Sequence, residues 1–328
     1  MHGLNFEPEH IEMCCLRCHE GAGNVIIKTG YHGEQINWDD FFNLKKKFIE
    51  DNKRGVIDPR CKGCFNLVHK DWDDEERYFS FIHFNHWTHC NSKCMYCYTD
   101  FNKEFYNKMP HYNVLPIIKD IFQKGLFRHG GEITFAGGEP TILEEFEELI
   151  DFMVGEGVSN ITIHTSGIKF SPALARGIAA GQINVVVSAD SGCTETYKKV
   201  KRFDHFNKVW KTTAKYAAAQ KENSKNLVST KFIFIPGFND SMEEVESWLQ
   251  QNVKAKTNSV VIDIEHEWFK LQREKHAMPD HIKEQIKYIQ HRASELGLYL
   301  IVYNSARYLL ENEQDFTGNE MMPNPYVH

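Results

Sequence analysis

The chain has 328 residues, 41% hydrophobic and 25% charged, the composition of a globular protein of one or two domains and not of a disordered one. Its 38 basic and 45 acidic side chains give a formal charge of −7, which argues against bulk nucleic-acid binding. No run of 18 apolar residues and no basic-then-apolar leader occurs, so the expectation is a cytoplasmic protein without a membrane span.

In chain order, residues 1–76 carry Cys14, Cys15, Cys18, Cys61 and Cys64, a β-like stretch at Val25–Lys28 and an amphipathic segment at Trp38–Glu50, closed by the acidic link Asp71–Glu76. From Tyr78 a rhythm begins. Apolar β-rich runs fall at Phe79–Phe84, Ile133–Ala136, Ile161–Thr165, Asn184–Ala189, Val228–Ile235, Val260–Ile264 and Leu298–Tyr303. Helical patterns lie between them: Asn113–Gly125; a stretch from a Thr141/Glu144 capping box to Gly155; Ser171–Pro172 to a stop at Gly181; a second capping box at Ser241/Glu244; and Met278–Gly297. Strands alternating with helices predict parallel βαβ units with chemistry at the strands' carboxyl ends. The near-continuous apolar runs read as strands covered on both faces. Expected boundaries are a Cys-rich module over 1–76, an α/β body over 77–305 and an irregular tail over 306–328.

Nine cysteines in a reducing compartment do not form a disulfide framework, and eight of them lie in the first 97 residues. Cys90-Asn-Ser-Lys-Cys94-Met-Tyr-Cys97 follows the first β run of the body. A structural zinc site would be closed by four ligands, whereas an iron–sulfur cluster on three cysteines leaves one iron open. The bland alternative is three buried free thiols. Upstream, Cys15-x2-Cys18 and Cys61-x2-Cys64 make two chelating pairs, for which spacing alone favours zinc. Cys193 reads as a buried free thiol.

Cys90-x3-Cys94-x2-Cys97 with Tyr96 before the last cysteine resembles the signature of the radical S-adenosylmethionine (SAM) superfamily. The resemblance implies a 4Fe–4S cluster on Cys90, Cys94 and Cys97 whose open iron chelates SAM, cleaved by one electron to a 5′-deoxyadenosyl radical that abstracts hydrogen from substrate. It continues down the chain in order. Gly137-Gly138-Glu139-Pro140 resembles the element that cradles the methionine amino group. Thr165-Ser166-Gly167 stands where the family often has Thr-Asn-Gly. Ser188-Ala189-Asp190 resembles Ser-x-Asp, with a downstream basic residue, Lys201 or Arg202, reaching the cofactor. Pro236-Gly237-Phe238-Asn239-Asp240 resembles a segment of several members, and Asp263, Glu265, His266 and Glu267 would border adenine or substrate.

The implied fold is α/β, a partial (β/α)6 TIM-type barrel behind a small N-terminal metal-binding domain. That domain resembles SPASM/twitch cysteine modules, which implies a second 4Fe–4S cluster on Cys15, Cys18, Cys61 and Cys64, with zinc as the alternative and Cys14 or His19 as substitute ligands. The implied function is hydrogen abstraction from a peptide or small-metabolite substrate, of oxidoreductase or transferase type, fed by a flavodoxin/ferredoxin-type electron donor. The alternatives are an iron–sulfur electron-transfer reductase without SAM cleavage and a zinc-ribbon interaction protein.

Overall fold

The computed structural model describes residues 3–8, 10–13, 25–28, 36–56, 76–97, 112–221, 224–265, 268, 278–303 and 306. Cys14, Cys15, Cys18, His19, Cys61, Cys64, His266, Glu267 and the tail beyond 306 lie outside them.

One ten-stranded sheet organises the described residues, in the order β10-β9-β8-β7-β6-β5-β4-β1-β2-β3. Its strands are β1 (Gly3–Phe6), β2 (His10–Glu12), β3 (Val25–Lys28), β4 (Phe79–Phe84), β5 (Phe127–Phe135), β6 (Ile161–Thr165), β7 (Ile183–Ser188), β8 (Val228–Phe234), β9 (Ser259–Ile264) and β10 (Tyr299–Val302). All neighbours from β10 through β4 to β1 are parallel; β1–β2 and β2–β3 are antiparallel. The seven β runs expected from Phe79 onward are all strands. β1, only four residues long, has no comparable sequence signal, yet it pairs with β4 across more than 70 residues of chain.

The helices are α1 (Trp38–Lys53), α2 (Leu115–Gln123), α3 (Phe146–Gly155), α4 (Pro172–Ala180), α5 (Thr194–Lys201), α6 (Phe206–Ala219), α7 (Met242–Ala255) and α8 (Asp280–Glu295). α1 buries Trp38, Phe41 and Phe42 against Phe79 at the foot of β4, with ring centroids 5.1–5.4 Å away, and joins the main core. Ser171 caps α4, its Oγ accepting from Leu174 N at 3.2 Å, and Gly181 ends that helix at φ 77°.

Strands β4 to β10 run in sequence order, and right-handed crossovers between successive neighbours put α2 to α4 and α6 to α8 on one face, while α5 packs through Val200 on Ile233 and the cysteine loop at the mouth. The expectation of two covered faces is therefore corrected. Ile161, Ile163 and Thr165 of β6 are buried under the helices, whereas Thr162 and His164 between them are only partly buried on the other face. That face, which the described helices other than α5 leave uncovered, is concave. The rings of His164 on β6 and Tyr303 just past β10 lie 6.0 Å apart, although four strand spacings of about 4.8 Å would part them by about 19 Å in a flat sheet. The result is an open barrel whose lumen is lined by alternate residues of each strand.

Two capping boxes differ from expectation. Thr141 does not start a helix: Pro140–Ile142 is a 3₁₀ turn, Glu139 accepts from Thr141 N, and α3 begins only at Phe146. At α7, Ser241 Oγ accepts from Glu244 N at 3.2 Å as expected. The Glu244 carboxylate, however, turns away to Ser191 Oγ and Gly192 N, both at 2.6 Å, and to Cys193 Sγ at 3.2 Å. Tertiary donors outcompete the exposed local cap. Cys193 is accordingly half-buried and hydrogen-bonded, and not a fully buried thiol.

Phe135 on β5 stacks on Phe84 at 4.3 Å and meets Phe146 edge-on at 5.7 Å, fully buried. Phe135→Ala is expected to destabilise the fold by about 3–5 kcal/mol, measured as a drop in urea midpoint by circular dichroism at unchanged slope.

Candidate active site at the cysteine loop

Cys90, Cys94 and Cys97 sit on the irregular segment that leaves the carboxyl end of β4, none in a disulfide and all half-buried. Two flanking segments hold this loop by its backbone. On one side Gly138 N donates to Trp87 O at 3.0 Å and Glu139 N to His89 O at 2.9 Å. A Cβ at Gly138 would stand 2.1 Å from His89 O, and one at Gly137, where φ is 86°, would stand 2.7 Å from Trp87 O. The glycines thus let the turn after β5 press against the cysteine loop. On the other side Met95 N donates to Val200 O of α5 at 2.9 Å and Lys93 N to Lys201 O at 3.4 Å.

Two buried carboxylates complete the frame. Glu139, 1% exposed, accepts from Thr165 Oγ1 at 2.7 Å and Ser166 N at 2.6 Å, as well as from Thr141. It joins the ends of β5 and β6 through charge-assisted bonds. Ser166, standing where an asparagine was the familiar residue, donates its hydroxyl to Asn91 Oδ1 at 3.0 Å and so reaches the cysteine loop itself. Asp190 takes φ 52° just beyond β7; its Oδ1 accepts from Ile233 N at 2.8 Å, and its Oδ2 accepts from both Lys201 Nζ and the Tyr96 hydroxyl. Lys201 also donates to Tyr96 Oη at 2.7 Å. Burial would depress the Lys201 ammonium, but the Asp190 charge overrides it and holds the lysine above its ordinary value. Of the two cations named from sequence, Lys201 points inward, while Arg202 is an exposed left-handed cap of α5. Asn239 ties the scene together: its Nδ2 donates to Asp190 O at 3.0 Å and its Oδ1 accepts from Ile235 N at 2.8 Å.

Burial, then the Glu139 charge, push the Cys90 thiol up to about 12. A coordinated metal reverses that preference because the ligand is the thiolate. Among the described residues no three His, Cys, Asp or Glu side chains are gathered around a single-ion position. A cluster in which each thiolate takes its own iron does not require that.

Ser188 ends β7 half-buried in register with Lys231. Asp263 lies on the lumen side of β9, in register with Ile233, its Oδ1 accepting from Ile264 N at 2.9 Å. The lumen floor is histidine and carboxylate. His83 Nδ1 meets Asn5 Oδ1 at 2.8 Å. Burial holds His83 down at about 4 and His164 at about 3, so both rings are neutral. Two residues escaped the sequence reading. Asn91 lies inside the cysteine motif; its only signal is that position. Lys231 interrupts the apolar run Val228–Ile235, and that lone cation in a strand was the available signal.

The model of the radical SAM superfamily matches residues 84–249. Similar curated proteins are a GTP 3′,8-cyclase of Clostridium botulinum, 26% identical over 169 residues, half of each chain; a probable GTP 3′,8-cyclase of Methanococcus maripaludis, 30% identical over 34% of this chain and 36% of its own; and the mycofactocin maturase MftC of Mycobacterium ulcerans, 25% identical over 40% of this chain and 34% of its own. The matches thus span between a third and a half of those relatives' lengths. The crystal structure of Streptococcus suis SuiB shares the fold, with a TM-score of 0.54 at 13% identity over 91% of this chain and 73% of that one. No helix among the described residues is long and apolar enough to cross a membrane.

Glu132, in the lumen on β5, is raised to about 7 by burial, partly offset by the Thr134 hydroxyl. A carboxyl raised in the folded state keeps its proton after the unfolded chain has lost it, so it weakens the fold as pH rises from about 4.5 to 7. Glu132→Gln is expected to raise the melting temperature at pH 8 and to change it little at pH 4.5, by scanning calorimetry at both values.

Proposed function

The chain belongs to the radical SAM superfamily, and on that premise we propose that it is an enzyme holding a 4Fe–4S cluster on Cys90, Cys94 and Cys97 with SAM beside it at the barrel mouth. The observation that carries the reading is the loop itself: three half-buried cysteines, none in a disulfide, at the carboxyl end of β4, pinned by backbone bonds on both sides. Three soft thiolates fit a cubane with one open iron, where a closed zinc site asks for a fourth ligand. When bound, the pair supplies a 5′-deoxyadenosyl radical for hydrogen abstraction, chemistry that belongs to the cofactor.

The protein's part is to hold and orient. Gly137, Gly138, Glu139 and Pro140 form one wall of the cofactor site, with Thr165 and Ser166 fixed to it through the Glu139 carboxylate. Ser188 offers its hydroxyl from the end of β7, and Asp263 faces the same lumen from β9. Tyr96, Asp190 and Lys201 form the opposite wall as a mutually bonded trio whose two charged members are buried, with Arg202 on its solvent side. The open lumen admits a peptide or small-metabolite substrate; the GTP 3′,8-cyclases among the relatives are named for a nucleotide, and Streptococcus suis SuiB has been crystallised bound to the precursor peptide SuiA. Cys15, Cys18, Cys61 and Cys64 of the 1–76 segment hold a second 4Fe–4S cluster in a twitch-like module, with zinc as the competing occupant. The 77–305 segment is the barrel and 306–328 a tail. A flavodoxin/ferredoxin-type protein in the cytoplasm supplies the electron.

Anaerobically reconstituted protein is expected to bind about seven to eight irons per chain; about four with one zinc would give the N-terminal cysteines to zinc and leave the loop cluster standing. Dithionite-reduced protein is expected to release 5′-deoxyadenosine from SAM, and alanine at Cys90, Cys94 and Cys97 to abolish that release, followed by liquid chromatography. Reducible clusters without release in the unmutated protein would mark an electron-transfer reductase instead. Ser188→Ala is expected to weaken SAM binding by about 1–3 kcal/mol, one hydrogen bond to a charged group, measured by equilibrium dialysis.

A further inference from the structure

The helix-side residues of β8 are committed to α7. Thr230 Oγ1 donates to Asn252 Oδ1 and accepts from Trp248 Nε1, both at 2.8 Å, and Phe232 packs on Trp248 at 5.0 Å between centroids. Lys231 between them therefore projects into the lumen, half-buried, level with Ser188 on one neighbouring strand and Val261 on the other. It makes no hydrogen bond or ion pair among the described residues.

His164 faces the same space from β6, in edge contact with Tyr303, and its ring nitrogens likewise make no hydrogen bond among the described residues. Burial, then the Lys231 charge, then His83 keep that ring neutral, so it offers one N–H donor and one acceptor. A half-buried ammonium that pairs with no carboxylate among the described residues is costly. Neither lumen carboxylate relieves it: Asp263 and Glu132 form no ion pair with Lys231, and burial favours the protonated form of Glu132 up to about pH 7.

The trio of Tyr96, Asp190 and Lys201 and the Glu139 wall border the cysteine loop, whereas His164 reaches toward Tyr303 and the β10 side of the lumen. We propose that Lys231 and His164 form a substrate subsite for an anionic group, a carboxylate or a phosphate, adjoining the Ser188 and Asp190 side of the cofactor site. This rests on the radical SAM reading only in naming the ligand as substrate.

The test is isothermal titration calorimetry on the full-length, cluster-loaded protein, with inorganic pyrophosphate and succinate as anion probes and S-adenosylhomocysteine as the cofactor probe. At least one anion is expected to bind; which one identifies a phosphate or a carboxylate as the group recognised. Lys231→Met is expected to weaken that anion by about tenfold or more, Lys231→Arg to retain it, and both to leave S-adenosylhomocysteine affinity unchanged. The proposal is overturned if neither anion binds the unmutated protein, if Lys231→Met binds it equally well, or if the substitution instead weakens S-adenosylhomocysteine. Melting temperatures of both variants separate a binding defect from misfolding. SAM cleavage by the unmutated protein is a separate assay, so failure of the superfamily reading would be seen independently.

Discussion

A parallel sheet whose strands follow one another in sequence order has one side on which to place its helices. Right-handed crossovers repeated from β4 to β10 put α2 to α4 and α6 to α8 on that side, and the uncovered face must curl to shelter itself. Everything functional in this protein follows from that asymmetry. The covered face takes the branched and aromatic residues, such as Ile133, Phe135, Ile161 and Ile163. The bare face is free to carry His83, Glu132, His164, Lys231 and Asp263, polar groups that a doubly covered sheet would exclude at considerable cost.

The mouth of the curl is held by buried charge together with a small apolar cluster, in which Met95 and Tyr96 pack on Val200, Ile233 and Ile235. Glu139 gathers donors from the ends of β5 and β6; Asp190 gathers a backbone N–H of β8, an ammonium from α5 and a phenol from the cysteine loop. Each carboxylate is buried and fully engaged, the condition under which a buried charge rigidifies its surroundings. The cysteine loop between them has no regular structure of its own. Its shape is borrowed from the Gly137–Gly138 turn on one side and from α5 on the other.

Much of this was legible from residue order. Seven β runs became seven strands, because buried strands need apolar residues wherever helices cover them. Ser171, Pro172 and Gly181 delimited α4, because capping is a local matter of hydrogen bonds and φ. Where a local rule met a stronger distant partner, it failed. Glu144 and Glu244 both read as capping-box residues; yet Thr141 was claimed by Glu139, and Glu244 by the 191–193 backbone. β1 was invisible because Gly3–Phe6 lacks the β-branched run that marks Val25–Lys28, and its partner lies far along the chain.

The sequence by itself determined the cysteine motif, its place after a strand and the succession of Gly-Gly-Glu-Pro and Ser-x-Asp behind it, since these are matters of spacing along one chain. Only the tertiary structure decided that Lys201 and not Arg202 turns inward, that Ser166 reaches Asn91, and that Lys231 and His164 share one lumen. Those outcomes depend on strand register and on the curl of the sheet. Register is set by contacts between segments tens of residues apart, so no window of sequence contains it.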